Sequence, residues 1–247
     1  MSLCIVVGAG PGLGAAIARR FAKADFQVAL VARTADRIAS SAQTIGKAGQ
    51  ARGFVADAGN AAALTQALDA ACDWGGAPDV LVFNAAVMHE TPASALRADG
   101  LFKDMAVNLG GAVTCVSALL PKMRERKRGT ILFTGGGLAL EPYPAWSGLA
   151  IGKAALRAYG IALNKEVASD NIHVGVIAIC GIIEPGGPFN PDLLAEIYWS
   201  SHAAPAGQRQ REIVYLPPGA DPFYNDPAAR YRSISQPIHA VLPSTAS

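Results

Sequence analysis

The sequence predicts an α/β fold, a doubly wound parallel sheet of about seven strands with helices on both faces. Three observations predict it. Short β-branched runs alternate with longer alanine-rich stretches, the sequence form of repeated βαβ units. The runs are apolar throughout, as in Val80-Leu81-Val82-Phe83, which is how a strand reads when helices cover both faces of its sheet. A glycine-rich turn, Val7 to Gly14, joins the first run to the first helical stretch.

Taken in order, Leu3 to Val7 opens the chain as a strand over 3–8. It has no charged leader or cleavage site and is too short to cross a bilayer. Further strands are predicted near 27–32, 51–55, 79–83, 129–134, 172–179 and 212–215. Helices fill the gaps near 12–24, 35–47, 60–73, 100–126, 145–168 and 191–201. Ala112, Val113, Val116 and Leu120 form an apolar stripe at helical spacing on the 100–126 helix. That stripe faces either a second subunit or the chain's own sheet. The basic run Lys122 to Arg128, interrupted by Glu125, closes the same helix, where the dipole favours cations, and reads as a solvated helix end. Ser147 reads as a cap on the first turn of the 145–168 helix.

The chain of 247 residues suits one large domain, placed at 1–215. Beyond Tyr215, Pro217, Pro218, Pro222, Pro227, Pro237 and Pro243 recur without periodicity, so 216–247 is expected to be an irregular tail. A formal charge of +2 announces no nucleic-acid partner, and nothing targets a membrane. Cys4, Cys72, Cys115 and Cys180 lack metal or disulfide spacing and read as reduced thiols of a cytoplasmic protein. His89, His173, His202 and His239 are scattered, so no metal is expected. His202 reads as a helix-end histidine favoured by the dipole.

The glycine turn carries the clearest chemistry. Bare backbone there can approach a pyrophosphate while the helix N-terminus stabilises its charge. Gly8, Gly12 and Gly14 fit GxxxGxG, and Gly10, Gly12 and Ala15 fit GxGxxA. The first register places a glycine directly after the strand and is preferred, with Pro11 and Leu13 completing the turn. An acid at the end of the second strand would select NAD through the ribose hydroxyls. This chain has Ala32-Arg33-Thr34, and a guanidinium accommodates a 2′-phosphate. NADP is therefore expected, with NAD disfavoured.

In this order and spacing the motifs resemble the short-chain dehydrogenase/reductase family from about Leu3 to Tyr215. Asp57, beside Ala58, stands where that family contacts adenine. Phe83-Asn84-Ala85-Ala86 matches its NNAG segment, and Val107-Asn108 its structural and relay asparagine. Cys180-Gly181-Ile182-Ile183 resembles the Pro-Gly segment whose backbone, at Gly181 and Ile183, holds the nicotinamide amide. The resemblance also implies a Tyr-x-x-x-Lys pair with a serine thirteen residues earlier. Lys153 fits the lysine, but the tyrosine position holds Leu149 and the serine position Gly136.

General acid catalysis is worth roughly 10²–10⁴ in rate, and leucine offers no proton. The candidates for an alternative source are Tyr143, Ser147, Thr134 and Lys153 itself, with Asn108 as a relay. Two functions are carried forward. One is an NADP-dependent oxidoreductase acting on a small carbonyl, imine or activated alkene. The other is an inactive cofactor-binding sensor or partner subunit. The resemblance implies a homodimer or homotetramer built on the long helices.

Overall fold

The computed structural model describes residues 1–218, so most of the predicted tail, 219–247, lies outside the described residues. Seven strands, β1 (Leu3–Val7), β2 (Gln27–Ala32), β3 (Ala51–Val55), β4 (Val80–Phe83), β5 (Gly129–Thr134), β6 (Ile172–Ile179) and β7 (Glu212–Tyr215), form one sheet. All pairings are parallel, in the order β3-β2-β1-β4-β5-β6-β7. The chain builds outward from β1 to β3, then returns to add β4 on the other side of β1. A crevice opens beyond the carboxyl ends of the strands at that reversal.

The apolar strands serve two cores. In β1, Leu3, Ile5 and Val7 enter one core and Cys4 and Val6 the other, as the two-residue period of a strand requires. The first core lies beneath α3 (Ala61–Gly75), α5 (Gly111–Glu125) and α6 (Ser147–Glu166). The second lies beneath α1 (Leu13–Lys23), α2 (Ala35–Thr44) and α7 (Pro191–Ala203).

The helix expected over 100–126 is continuous but not uniform. It runs as α4 (Ala98–Met105), a π-helical turn (Ala106–Gly110) and α5. The widened turn carries Asn108, and such turns concentrate at functional sites. Over Ala98–Glu125 this rod has the length and hydropathy of a membrane span. Its inner face, however, belongs to the first core. Of the predicted stripe, Ala112, Val116 and Leu120 pack there and only Val113, 38% exposed, faces outward. The stripe therefore serves the subunit's own sheet.

Two local expectations are corrected, at Ser147 and His202, while the basic run remains a solvated helix end whose cations form surface ion pairs. Cations of the basic run are paired: Arg124 bonds Glu166 and Asp170, while Arg126 and Arg128 converge on Asp79. Trp146, not Ser147, is the α6 N-cap, and the Ser147 hydroxyl donates to Pro144 O at 2.7 Å. His202 is no solvated helix-end cation. Its Nδ1 lies 2.9 Å from Thr130 Oγ1 near the start of β5, and burial holds its pKa below the usual histidine value.

Candidate functional site

The glycine turn sits at the crevice, and the structure separates its two registers. Gly8 has φ +86°, and a Cβ there would lie 2.4 Å from the Ala85 amide nitrogen. At Gly14 a Cβ would fall 2.5 Å from Gly8 O, so no side chain fits where α1 begins against the turn. Gly12, the α1 N-cap, has φ +96° with open space above it. Gly10 has an unremarkable backbone and nothing within 4 Å of a Cβ. The GxxxGxG register thus marks the positions where backbone shape demands glycine.

A cleft of about 520 Å³ opens here. Gly8, Gly10 and Pro11 line it together with Arg33, Thr34, Asp57, Ala58, Asn84, Ala85 and Ala86. Gly12, Leu13 and Gly14 shape the turn from behind. Gly181, Ile183, Asn108, Tyr143 and Lys153 are not among its walls. At the β2 end the cleft has two further residues that sequence reasoning missed, Arg37 and Ser41. Arg37 follows Arg33 by four residues, a spacing that a helical reading of 35–47 could have flagged. Both arginines are exposed, and neither forms an ion pair among the described residues. Thr34, the α2 N-cap, makes no side-chain capping bond, so amides of the first turn stay free for an anion. Asp57 Oδ1 instead accepts from Gly59 N at 2.9 Å and closes its own loop.

The second part of the site lies where β5, α6 and the π turn meet. Lys153 is 8% exposed, and its Nζ donates to Thr134 O at 2.7 Å. An ammonium has three donors, and this is the single acceptor it finds among the described residues. Burial pushes its pKa down to about 8. Asn108 Oδ1 accepts from Val87 N at 2.7 Å, while its buried Nδ2 has no partner among the described residues. Gly152 makes room for that amide, since a Cβ there would come within 2.8 Å of Asn108 Nδ2. Leu149 is buried one helical turn before Lys153. A Cβ at Gly136 would meet only Ile179 O at 3.8 Å and Lys153 Cγ at 3.9 Å, so that corner is open.

Of the other proton candidates, the Ser147 hydroxyl is committed to Pro144 O. The Thr134 hydroxyl lies between Asn84 Oδ1 at 3.0 Å and Tyr198 OH at 2.7 Å. Tyr143 is half-buried in a turn closed by Trp146 N to Tyr143 O, and no hydrogen bond joins its hydroxyl to Lys153. The Thr134–Tyr198 contact spans 64 positions of sequence and had no local signal.

A family model described as short chain dehydrogenase matches residues 2–186. The chain belongs to the short-chain dehydrogenase family. Among curated relatives it is similar to a D-threitol dehydrogenase of Mycolicibacterium smegmatis, 31% identical over 182 residues, which cover 73% of this chain and 62% of that protein. It is also 27% identical over 176 residues to an oxidoreductase of Listeria monocytogenes, covering 71% of each. Among solved structures, a short-chain dehydrogenase from Rhodopseudomonas palustris matches with TM-score 0.79 at 25% identity. That match covers 87% of this chain and 98% of the other. A metagenomic short-chain oxidoreductase in complex with NADP has the same fold, with TM-score 0.79 at 23% identity over 87% of this chain and 96% of that one.

A dinucleotide fits the residues present. Among the described residues the turn offers bare backbone, the N-termini of α1 and α2 carry no side-chain cap, and Lys153 and Asn108 present unmatched donors deeper in the fold. Position 149 holds leucine and position 136 glycine.

Proposed function

We propose that this short-chain dehydrogenase is an NADP(H)-dependent oxidoreductase acting on a small carbonyl, imine or activated alkene, with Lys153 as its proton source. The observation that carries the reading is the buried Lys153 ammonium, held by one acceptor in a corner that Leu149 and Gly136 leave apolar and open. Bound NADPH supplies a hydride to an electrophilic carbon. The chain's own residues do the rest. Arg33 and Arg37 would pair with the 2′-phosphate, since Ala32-Arg33-Thr34 at the β2 end holds a cation and no acid and the nearest carboxylates are Asp36 in the first turn of α2 and Asp57. Gly8 and Gly12 admit the pyrophosphate to backbone amides. Lys153, with a pKa of about 8, is mostly protonated at neutral pH and can release its proton without the large penalty of an ordinary ammonium. Asn108 Nδ2 orients the water that reprotonates it.

Calorimetric titration with NADPH and NADH in parallel tests the cofactor. NADPH binding at least ~10-fold tighter than NADH supports the reading, since a charged hydrogen bond is worth about 1.5–3 kcal/mol. Failure to bind either sinks it.

The second reading is a cofactor-binding sensor or partner subunit without turnover, and Leu149 with Gly136 is the observation that favours it. Leu149→Tyr with Gly136→Ser separates the two. Carbonyl reduction appearing only in the double variant identifies a decayed reductase. Activity already present, and unchanged or lowered by the change, supports the lysine route. We also propose a cytoplasmic homodimer. Phe102, Val113 and Ile151 are exposed apolar residues of α4, α5 and α6 that such an assembly would cover.

A further inference from the structure

The floor of the glycine turn is held by a directional chain of hydrogen bonds that starts on a helix outside the cleft. Asn84 Nδ2 donates to Gly8 O at 2.9 Å. A carbonyl only accepts, so the amide nitrogen must face Gly8 and the amide oxygen must face Thr134. Thr134 Oγ1 donates its single proton to that oxygen at 3.0 Å. The Tyr198 hydroxyl, 2.7 Å from Thr134 Oγ1, is then left as the donor. Polarity therefore runs one way, from Tyr198 through Thr134 to Asn84 and on to Gly8. Thr134 is also where Lys153 is anchored, through its main-chain oxygen.

Tyr198 is fully buried, so removing its phenol leaves the buried Thr134 hydroxyl without that donor. Its helix, α7, is fixed to α1, the helix that begins at the glycine turn. Arg19 pairs with Asp192 and Arg20 with Glu196, each at 2.7 Å, and the Arg20 guanidinium lies 4.3 Å from the Trp199 ring centre. α7 starts at Pro191 with Asn190 as its cap, directly after the segment that leaves β6 past Cys180, Gly181 and Ile183. One helix thus pairs with the later half of α1, at Arg19 and Arg20, and carries the hydroxyl that orders the strand ends beneath the turn.

We propose that Tyr198 is a positioning residue for the dinucleotide site: acting through Thr134, its hydroxyl fixes the Asn84 amide and with it the Gly8 carbonyl, so that α7 sets the shape of the cleft. The inference rests on the cofactor reading above. Its own content is that a side chain outside the cleft controls affinity inside it, by a single route. Cooperative chains of this kind make the effects of their members non-additive.

The test is calorimetric titration of NADPH into the full chain and into Tyr198→Phe, Thr134→Val, Thr134→Ser and the Tyr198→Phe/Thr134→Val double variant, with a melting curve for each. Tyr198→Phe should weaken NADPH binding by about 3- to 10-fold and Thr134→Val by about 10-fold, each the loss of a buried hydrogen bond. Thr134→Ser should restore affinity. The double variant should bind no worse than Thr134→Val alone, because the phenol acts through that hydroxyl. A purely structural role would lower the melting temperatures and leave the dissociation constants in place. Wild-type affinity in Tyr198→Phe, or additive losses in the double variant, overturns the proposal. Should the wild-type chain bind no NADPH, the cofactor reading fails, and amide hydrogen exchange without ligand decides the positioning claim. Faster exchange at 8–14 and 84–88 in Tyr198→Phe supports it, and unchanged exchange refutes it.

Discussion

Replacing Lys153 by methionine should stabilise the protein at neutral pH. The lysine pKa falls from 10.5 to about 8 because its ammonium is buried. At 1.36 kcal/mol per unit, holding it charged costs about 3 kcal/mol of folding stability wherever both folded and unfolded chains carry the proton, below pH 8. Methionine keeps the length of the side chain and removes the charge. It also forfeits the bond to Thr134 O, worth about 1 kcal/mol. The net gain at pH 7 is about 2 kcal/mol, or a rise of roughly 4–8 °C in Tm for a chain of this size. The sign depends on pH. A depressed folded pKa means that the unfolded chain binds more protons between pH 8 and 10.5. Wild-type stability therefore climbs through that window, and the advantage of the variant shrinks to about zero near pH 10. Urea unfolding of both proteins at pH 7 and pH 10 measures the difference. A Lys153→Met protein less stable than wild type at pH 7, or one whose advantage does not change with pH, refutes the buried-ammonium argument.

Other expectations follow from the same geometry. Gly8→Ala should abolish NADPH binding or lower stability by at least about 3 kcal/mol, because its Cβ meets backbone at 2.4 Å with φ +86°, whereas Gly10→Ala should bind normally; titration and melting curves of the pair check the register. Arg33→Ala with Arg37→Ala should weaken NADPH by roughly 10- to 100-fold and leave NADH nearly unchanged, and equal losses for both would remove the 2′-phosphate role. His173 is buried at the start of β6 against Ser201, 3.1 Å away, near His202 and Arg209. Burial pushes its pKa down to about 4, so stability is full above pH 6.5 and drops as pH falls toward 4, by about 2 kcal/mol between pH 7 and 5. His173→Gln should flatten that acid limb in urea titrations, and an unchanged slope would assign it to other groups.

The strands and helices were legible because each carries its own local signal. Apolar runs on a parallel sheet read the same on both faces, so all seven strands could be placed within a residue. The glycine turn was legible for a similar reason, since backbone shape at Gly8, Gly12 and Gly14 excludes side chains wherever the chain is met. Arg33 was legible from its place directly after β2, at the mouth of the cleft that the glycine turn lines. The fate of the α5 stripe was not written locally. A helical period says that one face is apolar, but only packing shows that Ala112, Val116 and Leu120 turn toward the subunit's own sheet. The π turn had a partial local signal, since an asparagine inside a helix costs propensity and calls for either a relay or a distortion of the helix, and the structure shows the distortion.

By itself, then, the sequence determined the sheet, the glycine turn, and the leucine and glycine at 149 and 136. Those properties depend on near neighbours and on residue identity. Tertiary structure alone decided that Lys153 is buried with one acceptor among the described residues, that Arg37 joins Arg33, and that Tyr198 reaches the glycine turn through Thr134 and Asn84. Desolvation and hydrogen bonding are set by what surrounds a group in space, and here those surroundings come from strands and helices far apart in the chain.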